Sequence, residues 1–426
     1  MDLSIVIPCY NSEKYLNSCL KSVCDQIQNK KIEVLIVDDA SKDKTSQIIN
    51  SYKKKIKFLE IFKNKKNSGV SVSRNLALRK AKGKYILFLD SDDEIIKDSI
   101  SQLLNYINKN YVDVVILRNK NIDHKNFIDK NQIYNLKKNS KSIIHNIKNF
   151  NLFRSTCWNF LVKKNFITKN KILFKDIKIF EDQFFVSKIL SEAKTFKIYR
   201  KPIYNRRLHE PRTLSKTVGF WTAESCLKVI IELSKTIYEF KENNNKIVIK
   251  FLISRIKFVE NLLFENLMLC EKKEIKRLVN LYFKNLRYFK NLKKINSQIL
   301  KIFLQNKISA INAIQKMKKN KIGVFKKNIK AKTSYLIFCA WYYSEIILKI
   351  CLKEKIKVNY VLDNNIFYKS KRLHNKKIIL PINAKKFINK NYGILICNKN
   401  KKYCKQITSQ LINLGFMPKN LIKVEI

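Results

Sequence analysis

Two short apolar runs, each ending abruptly in carboxylates, restrict this chain more than any other feature. Val34-Leu35-Ile36-Val37 runs into Asp38-Asp39-Ala40-Ser41, and Tyr85-Ile86-Leu87-Phe88-Leu89 runs into Asp90-Ser91-Asp92-Asp93. Unbroken apolar runs of this length read as strands buried on both faces. In an open α/β sheet, the side chains that leave the carboxyl ends of such strands line the ligand crevice. The chain holds 33 acidic residues against 88 basic ones, so acids gathered at two strand ends are not incidental. Asp90 and Asp92, one residue apart, are hard oxygen donors of the kind that grip a divalent cation, and a diphosphate leaving group needs such a cation.

Around these runs, strand and helix signals alternate through residues 1–110. Strands are predicted over 3–7, 33–37, 57–62 and 84–89, with helices over 44–53 and 70–82. Ser12 is read as the cap of a first helix running to about Gln28, with Glu13 in its first turn. A βαβαβαβ order implies a parallel, doubly wound sheet. Beyond it, a strand is expected over 113–118, a strand or helix over 159–169, a helix over 181–193 and a strand around Pro202. From about Lys216 to Lys319 the pattern is almost wholly helical, with Gly219 and no proline. There Ile249, Leu252, Ile253, Ile256 and Val259 form one apolar stripe, which reads as packing or as a basic amphipathic face for a membrane. After Thr333, β-α-β order returns. The expected division is therefore 1–215, a nucleotide-binding α/β domain; 216–330, a helical region; and 331–426, a small Rossmann-like domain. Its first turn, Cys339-Ala340-Trp341-Tyr342-Tyr343, has no glycine, so no dinucleotide is expected there.

A hydrophobic fraction of 46% fits a globular protein rather than a disordered one. No run approaches the ~20 apolar residues of a membrane span. The chain enters a strand directly at Leu3, so no secretory leader is expected and the cytoplasm is. The ten cysteines show no CxxC spacing and only four histidines accompany them, which argues against a structural zinc site and suits buried thiols in a reducing compartment. The formal charge of +55 is carried mostly by lysine and reads largely as a solvated surface. An anionic glycan carrier or the anionic inner face of a membrane is a candidate partner for it. Nucleic acid is not, since no helix-turn-helix, zinc-finger or RNP-like pattern accompanies the charge.

Four segments in order resemble the family 2 glycosyltransferases, which have a GT-A fold. They are Ile5-Val6-Ile7-Pro8-Cys9-Tyr10-Asn11, Val37-Asp38-Asp39-Ala40-Ser41, Asn67-Ser68-Gly69-Val70-Ser71-Val72-Ser73-Arg74-Asn75 and Phe88-Leu89-Asp90-Ser91-Asp92-Asp93. The resemblance covers residues 1 to about 215. It implies a nucleotide-sugar donor, with Pro8, Tyr10 and Asn11 shaping the first loop and Tyr10 covering the nucleobase. Asp38 or Asp39 would bond base and ribose. Arg74 would reach the diphosphate or hold an acidic loop. Asp92 is the expected Mn²⁺ or Mg²⁺ ligand, with Asp90 on the ribose or a metal-bound water, and Asp93 bracing the loop. Asp39, Asp93 and Asn75 also read as turn and cap residues.

Further on, Cys157-Trp158-Asn159-Phe160 resembles the family's Trp-containing segment, and Phe180-Glu181-Asp182-Gln183 its Glu-Asp motif. By that resemblance Asp182 is the general base of an inverting transfer and Glu181 orients the site or the acceptor. The competing reading of the pair is a helix N-terminus, where acids are favoured by the dipole. Tyr204-Asn205-Arg206-Arg207, continuing to Ser215, resembles a loop that closes over the diphosphate, with Arg206, Arg207, His209 and Arg212 as candidate cations. The expectation is an inverting transfer of a hexose or N-acetylhexosamine from a UDP-linked sugar to a glycan or lipid-linked glycan acceptor, in a lipooligosaccharide or capsule pathway. The alternative is a non-catalytic glycan- or membrane-binding scaffold derived from such an enzyme.

Overall fold

A computed structural model of the chain describes residues 1–28, 30–119, 144, 155–207, 217–242, 245–289, 298–303, 306–329, 334–339, 342–365, 368–369, 371–388, 392–398 and 400–424. They form two compact units, Met1–Arg207 with Glu232–Ile256, and Leu208–Ile231 with Lys257–Ile426.

The first unit is built on an eight-stranded sheet. Its strands are β1 (Leu3–Cys9), β2 (Ile32–Asp38), β3 (Leu59–Lys63), β4 (Tyr85–Phe88), β5 (Glu94–Ile95), β6 (Val114–Asn119), β7 (Phe160–Lys163) and β8 (Phe196–Asn205). The order across the sheet is β3-β2-β1-β4-β7-β6-β8-β5. β1, β2, β3 and β4 pair in parallel, whereas β7 runs antiparallel to both β4 and β6, and β5 antiparallel to β8. β1 and β2 are buried along their whole length, as their apolar runs require of strands covered on both faces. Pro8, which cannot donate to a ladder, lies past the point where β4 stops pairing with β1 at Val6–Phe88.

The helices are α1 (Leu16–Ile27), α2 (Thr45–Ser51), α3 (Val70–Lys80), α4 (Ser99–Lys109), α5 (Lys164–Lys169) and α6 (Glu181–Glu192). Helix α1 starts later than its sequence cap suggests. The Ser12 carbonyl accepts from the Tyr15 and Leu16 amides, while the Ser12 hydroxyl turns to Ser91, 2.9 Å away. The segment read as strand or helix over 159–169 is both: a 3₁₀ turn at Cys157–Asn159, then β7, then α5. The two-residue β5 was not expected, being too short for a periodicity signal.

Two long helices follow, α7 (Phe220–Glu242) and α8 (Lys246–Leu267). Leu252, Ile256 and Val259 are fully buried, so the stripe on α8 packs rather than facing a membrane. The second unit adds α9 (Lys272–Lys284), α10 (Leu286–Phe289), α11 (Gln298–Phe303) and α12 (Lys307–Lys327). Tyr282 stacks on Phe303 among them, with ring centroids 4.7 Å apart.

Its sheet has the order β11-β12-β10-β9-β13-β14, from β9 (Ser334–Phe338), β10 (Val358–Leu362), β11 (Arg372–Leu373), β12 (Lys376–Ile379), β13 (Tyr392–Ile396) and β14 (Leu421–Lys423). All neighbours are parallel except the β11–β12 hairpin. Helices α13 (Tyr342–Lys353) and α14 (Lys401–Asn413) cross over it. Among the described residues no helix is long and apolar enough to cross a membrane. All ten cysteines are free and buried.

A buried carboxylate ties the start of β4 to β1 and β2. Glu33 accepts from the Ser4 hydroxyl at 2.6 Å and from the Gly83 amide at 2.9 Å. A Cβ on Gly83 would fall 2.5 Å from the Ser4 nitrogen and 2.6 Å from the Leu3 carbonyl carbon, atoms of the backbone that cannot swing away. Gly83→Ala is therefore expected to destabilise the protein by about 2–3 kcal/mol, the cost of overpacking a closed site. Urea denaturation of the variant checks it; an unchanged midpoint would contradict the geometry.

Candidate active site

In the first sheet the chain winds outward from β1 to β3, then returns to place β4 on the other side of β1. That reversal opens a crevice at the carboxyl ends of β1 and β4, where open α/β sheets bind ligands. The acids that end β2 and β4 flank it.

Asp38 and Asp39 are both buried and both satisfied by the protein. Asp38 accepts from the Ser41 amide at 2.9 Å and the Ser46 hydroxyl at 2.7 Å. Burial opposes its charge, but those two serines, helped by Lys63, prevail and hold its carboxyl below the usual range. Asp39 accepts from Asn64 Nδ2 at 2.6 Å, the Ser68 amide at 2.9 Å and the Gly69 amide at 2.7 Å. Gly69 sits at φ +89°, a conformation open to glycine, and leads directly into α3. Asp39 thus fixes the entry of the helix that carries Arg74. Asn75, on the same helix, exchanges hydrogen bonds with the Phe174 backbone in both directions, at 2.8 and 2.9 Å.

The loop after β1 is pinned to the loop after β2. The Asn11 amide donates to Ser41 Oγ at 2.9 Å, and Asn11 Oδ1 accepts from the Lys42 amide at 2.9 Å, with Asn11 itself at φ +46°. Tyr10, beside it, keeps 46% of its surface exposed.

Arg74 is the centre of the site. It is 3% exposed, and its guanidinium donates to Asp90 Oδ1 at 2.9 Å, Glu181 Oε1 at 2.6 Å and Asp182 Oδ1 at 3.1 Å. Its carbon lies 5.2 Å from the centroid of the Phe174 ring, a cation–π contact that covers the face the acids leave open. Of the two tasks its position in the sequence allows, holding acids is the one in which the geometry engages it. Burial opposes the Arg74 charge, yet the three carboxylates around it keep it firmly protonated.

Its partners carry the opposite signal. Burial pushes the Glu181 carboxyl up to about 7, with Asp182 pushing the same way and Arg74 pulling back. Burial likewise raises Asp90 to about 6, against the pull of Arg74 and with Asp92 and Asp182 adding to the rise. One cation facing three acids leaves them repelling one another, and both the Glu181 and the Asp90 carboxyls are raised.

Asp182 sits in the first turn of α6, behind Phe180 at φ +67°. Half-buried, it is bridged to Asp90 by a single guanidinium although the two are 92 residues apart in sequence. Gln183 beside it is held by Arg255 Nη2 at 2.8 Å.

Asp90, Asp92 and Asp93 bring carboxylate oxygens within 4.8 Å of one another. Asp93 is the brace: Oδ2 accepts from the Tyr204 hydroxyl at 2.7 Å and Oδ1 from the Arg207 amide at 2.7 Å. Burial raises its carboxyl to about 7, and Asp90 and Asp92 add to the rise. Three hard oxygen donors that repel one another fit a divalent cation, which would relieve the repulsion, and Asp92 and Asp90 are the pair placed to hold it.

Arg207 serves the same loop. It donates from Nε to the Asp92 carbonyl at 3.2 Å and from Nη2 to Glu94 at 2.6 Å, and lies over the Tyr15 ring. Arg206 is exposed beside it. His209 and Arg212 lie outside the described residues.

Burial disfavours the thiolate form of the cysteines near these acids. It drives Cys19 and Cys157 well above the ordinary thiol range; Arg74 pulls Cys157 back, and the neighbouring carboxylates push both further up.

Tyr204 is the site residue that spacing does not single out. Its hydroxyl also receives the Asp90 amide at 3.2 Å, and its ring stacks on Trp158 at 4.3 Å and 13°. The Trp segment therefore acts on the acids through Tyr204. The aromatic at the last-but-one position of a strand that runs into a basic loop was its only trace. Ser12 on Ser91 and Phe174 under Arg74 were equally silent, because each contact joins segments distant in sequence.

The fold and this arrangement define a class. Residues 4–170 match the profile of glycosyl transferase family 2. The chain is 31% identical over 246 residues to the poly(ribitol-phosphate) beta-N-acetylglucosaminyltransferase TarP of Staphylococcus aureus (strain N315), across 56% of this chain and 72% of TarP. It belongs to glycosyltransferase family 2. The poly(ribitol-phosphate) beta-N-acetylglucosaminyltransferase TarS of Staphylococcus aureus (strain MW2) is 30% identical over 210 residues, covering 48% of this chain but only 35% of TarS. The crystal structure of S. aureus TarS 1-349 in complex with UDP-GlcNAc superposes with a TM-score of 0.55 at 22% identity, over 75% of this chain and 91% of that one, and so shares its fold.

Glu181 gives the site a pH signature. Its folded value of about 7 lies above the ordinary 4.5, so the stability it contributes is present below 4.5 and is lost as pH rises through 7. Metal-free protein is expected to lose stability, on the order of 1–3 kcal/mol from this group, between pH 5 and about 7.5. Glu181→Gln is expected to flatten that slope in urea titrations at stepped pH. A slope unchanged by the substitution would place the titration elsewhere.

Proposed function

We propose that this protein is an inverting glycosyltransferase that moves a hexose or N-acetylhexosamine from a UDP-linked sugar to a hydroxyl of a bacterial surface glycan. One observation carries the reading: Arg74 holds Asp182, the candidate base, beside Asp90 of the acidic loop, where a sugar diphosphate would lie. An inverting transfer needs a base on one side of the anomeric carbon and charge neutralisation on the other.

In this scheme Tyr10 covers the nucleobase, and the pinned loops of Pro8, Asn11, Asp38 and Asp39 shape the nucleoside pocket. Asp182 accepts the proton of the acceptor hydroxyl as that oxygen attacks the anomeric carbon. The bond from that carbon to the diphosphate breaks with inversion, and UDP departs with the electron pair. Asp92 and Asp90 would hold Mn²⁺ or Mg²⁺, which supplies positive charge to the leaving diphosphate. Arg207 keeps the acidic loop in shape, Arg206 adds exposed charge at its rim, and Glu181 orients the site through Arg74.

The relatives named above carry poly(ribitol-phosphate) in their names, an anionic polymer. A chain of formal charge +55 would concentrate such an acceptor at its surface, more readily than a neutral one. We therefore place the acceptor among anionic surface glycans, at the inner face of the cytoplasmic membrane, with a lipooligosaccharide or capsular chain as the other candidates.

Turnover with a panel of UDP-sugars and Mn²⁺ tests the assignment. Asp182→Asn is expected to lower kcat by about 10²–10⁴-fold, the usual worth of a positioned base. Asp92→Ala is expected to abolish both the activity and the thermal upshift that Mn²⁺ gives the wild type. Activity untouched by both changes would overturn the site, and glycan binding without turnover from any donor would favour the scaffold.

A further inference from the structure

The second sheet repeats the winding of the first. From β9 the chain goes outward to β10 and β12, then returns to set β13 on the other side of β9. A crevice opens at that reversal too, and a cavity of about 510 Å³ occupies it. Its chemistry differs from that of the first unit. Four carboxamides line it, Asn364, Asn398, Gln406 and Gln410, together with the carboxyl of Asp363 and the ring of Tyr403.

Among the described lining residues there is no lysine or arginine, in a chain that holds 88. The described lining offers carboxamides and a carboxylate, groups that suit hydroxyls better than a phosphate. The turn where a dinucleotide site would place glycine carries Cys339 at φ +90°, with its sulfur 3.9 Å from Asn398 Nδ2. A side chain thus stands where a pyrophosphate would need bare backbone. A non-glycine residue held at that angle is also the kind of backbone strain that collects at binding sites.

The amides are ordered rather than loose. Asn364 and Gln410 exchange two hydrogen bonds, Nδ2 to Oε1 at 3.0 Å and Nε2 to Oδ1 at 2.8 Å. Asn398 Oδ1 accepts from the Asn400 amide at 2.9 Å, and Asp363 Oδ1 from the Asn365 amide at 2.8 Å. Tyr403 stands 53% exposed at the rim, on the first turn of α14, where the Asn400 side chain caps the helix.

We propose that this crevice is a carbohydrate site that holds a neutral sugar ring. Carboxamides and a carboxylate offer the paired donors and acceptors that vicinal hydroxyls need, and the exposed tyrosine offers a flat apolar face for the C–H side of a pyranose. The proposal does not rest on the transfer reaction in the first unit. It gives the chain a second grip on a glycan, with a different selectivity from the donor site.

The test uses the full chain with UDP and Mn²⁺ saturating, so that the first unit's donor site is filled. Saturation-transfer NMR is recorded with N-acetylglucosamine, N-acetylgalactosamine, glucose and galactose in turn, and with NAD⁺ and inorganic phosphate as controls. Tyr403→Ala and Gln406→Ala change exposed helix positions and are expected to leave the melting temperature unchanged. At least one sugar is expected to bind, at least tenfold more weakly in both variants and equally well in Asp182→Asn. If no sugar shows binding that depends on Tyr403 and Gln406, or if NAD⁺ or phosphate displaces the sugar, the proposal is overturned.

Discussion

A single guanidinium governs the first unit. Arg74 reaches the end of β4 through Asp90 and the start of α6 through Glu181 and Asp182, two elements that the edge-to-face contact of Phe88 with Phe185 also joins. Three acids would not gather here without it, since they repel one another and Glu181 has lost most of its water. The cation is itself dry, resting on Phe174, and it survives there because the acids outweigh its desolvation. Cation and acids are therefore mutually required, and the helix that carries Arg74 is in turn fixed at its entry by Asp39.

The remaining parts of the site steady the acids that Arg74 does not reach. Asp93 is clamped between Tyr204 and Arg207, and Tyr204 is clamped by Trp158. This explains the mixed sheet. Antiparallel β7 beside β4 brings the Trp segment up to the acidic loop, and β8 delivers Tyr204 and Arg207 to the same edge. The cluster keeps a surplus of negative charge, which a cation would meet better than another side chain could.

The two units share a winding rule and differ in edge chemistry. In each, the chain reverses direction across the sheet beside its first strand, and strand ends converge on a crevice. One crevice carries carboxylates around an arginine, the other carboxamides around a strained cysteine. Topology determines where a ligand lies; the side chains at the strand ends determine which ligand it is.

The sequence by itself determined the elements and the roster of acids. Apolar runs ending in Asp38 and Asp90 announce buried strands, and the four ordered segments announce the family, because both signals are local or depend on order alone. It also placed the helical stretch after Lys216, where the buried Leu252, Ile256 and Val259 follow a period that survives in one dimension. Helix starts slipped where a side chain found a tertiary partner, as Ser12 did with Ser91. What only the tertiary structure decided is which acid faces which cation. Arg74 could serve a diphosphate or an acidic loop on sequence grounds, and Tyr204 had no role at all. Those assignments follow from contacts between segments about 100 residues apart, where an ångström of approach in a water-poor pocket sets the charge, and spacing along a chain carries no record of it.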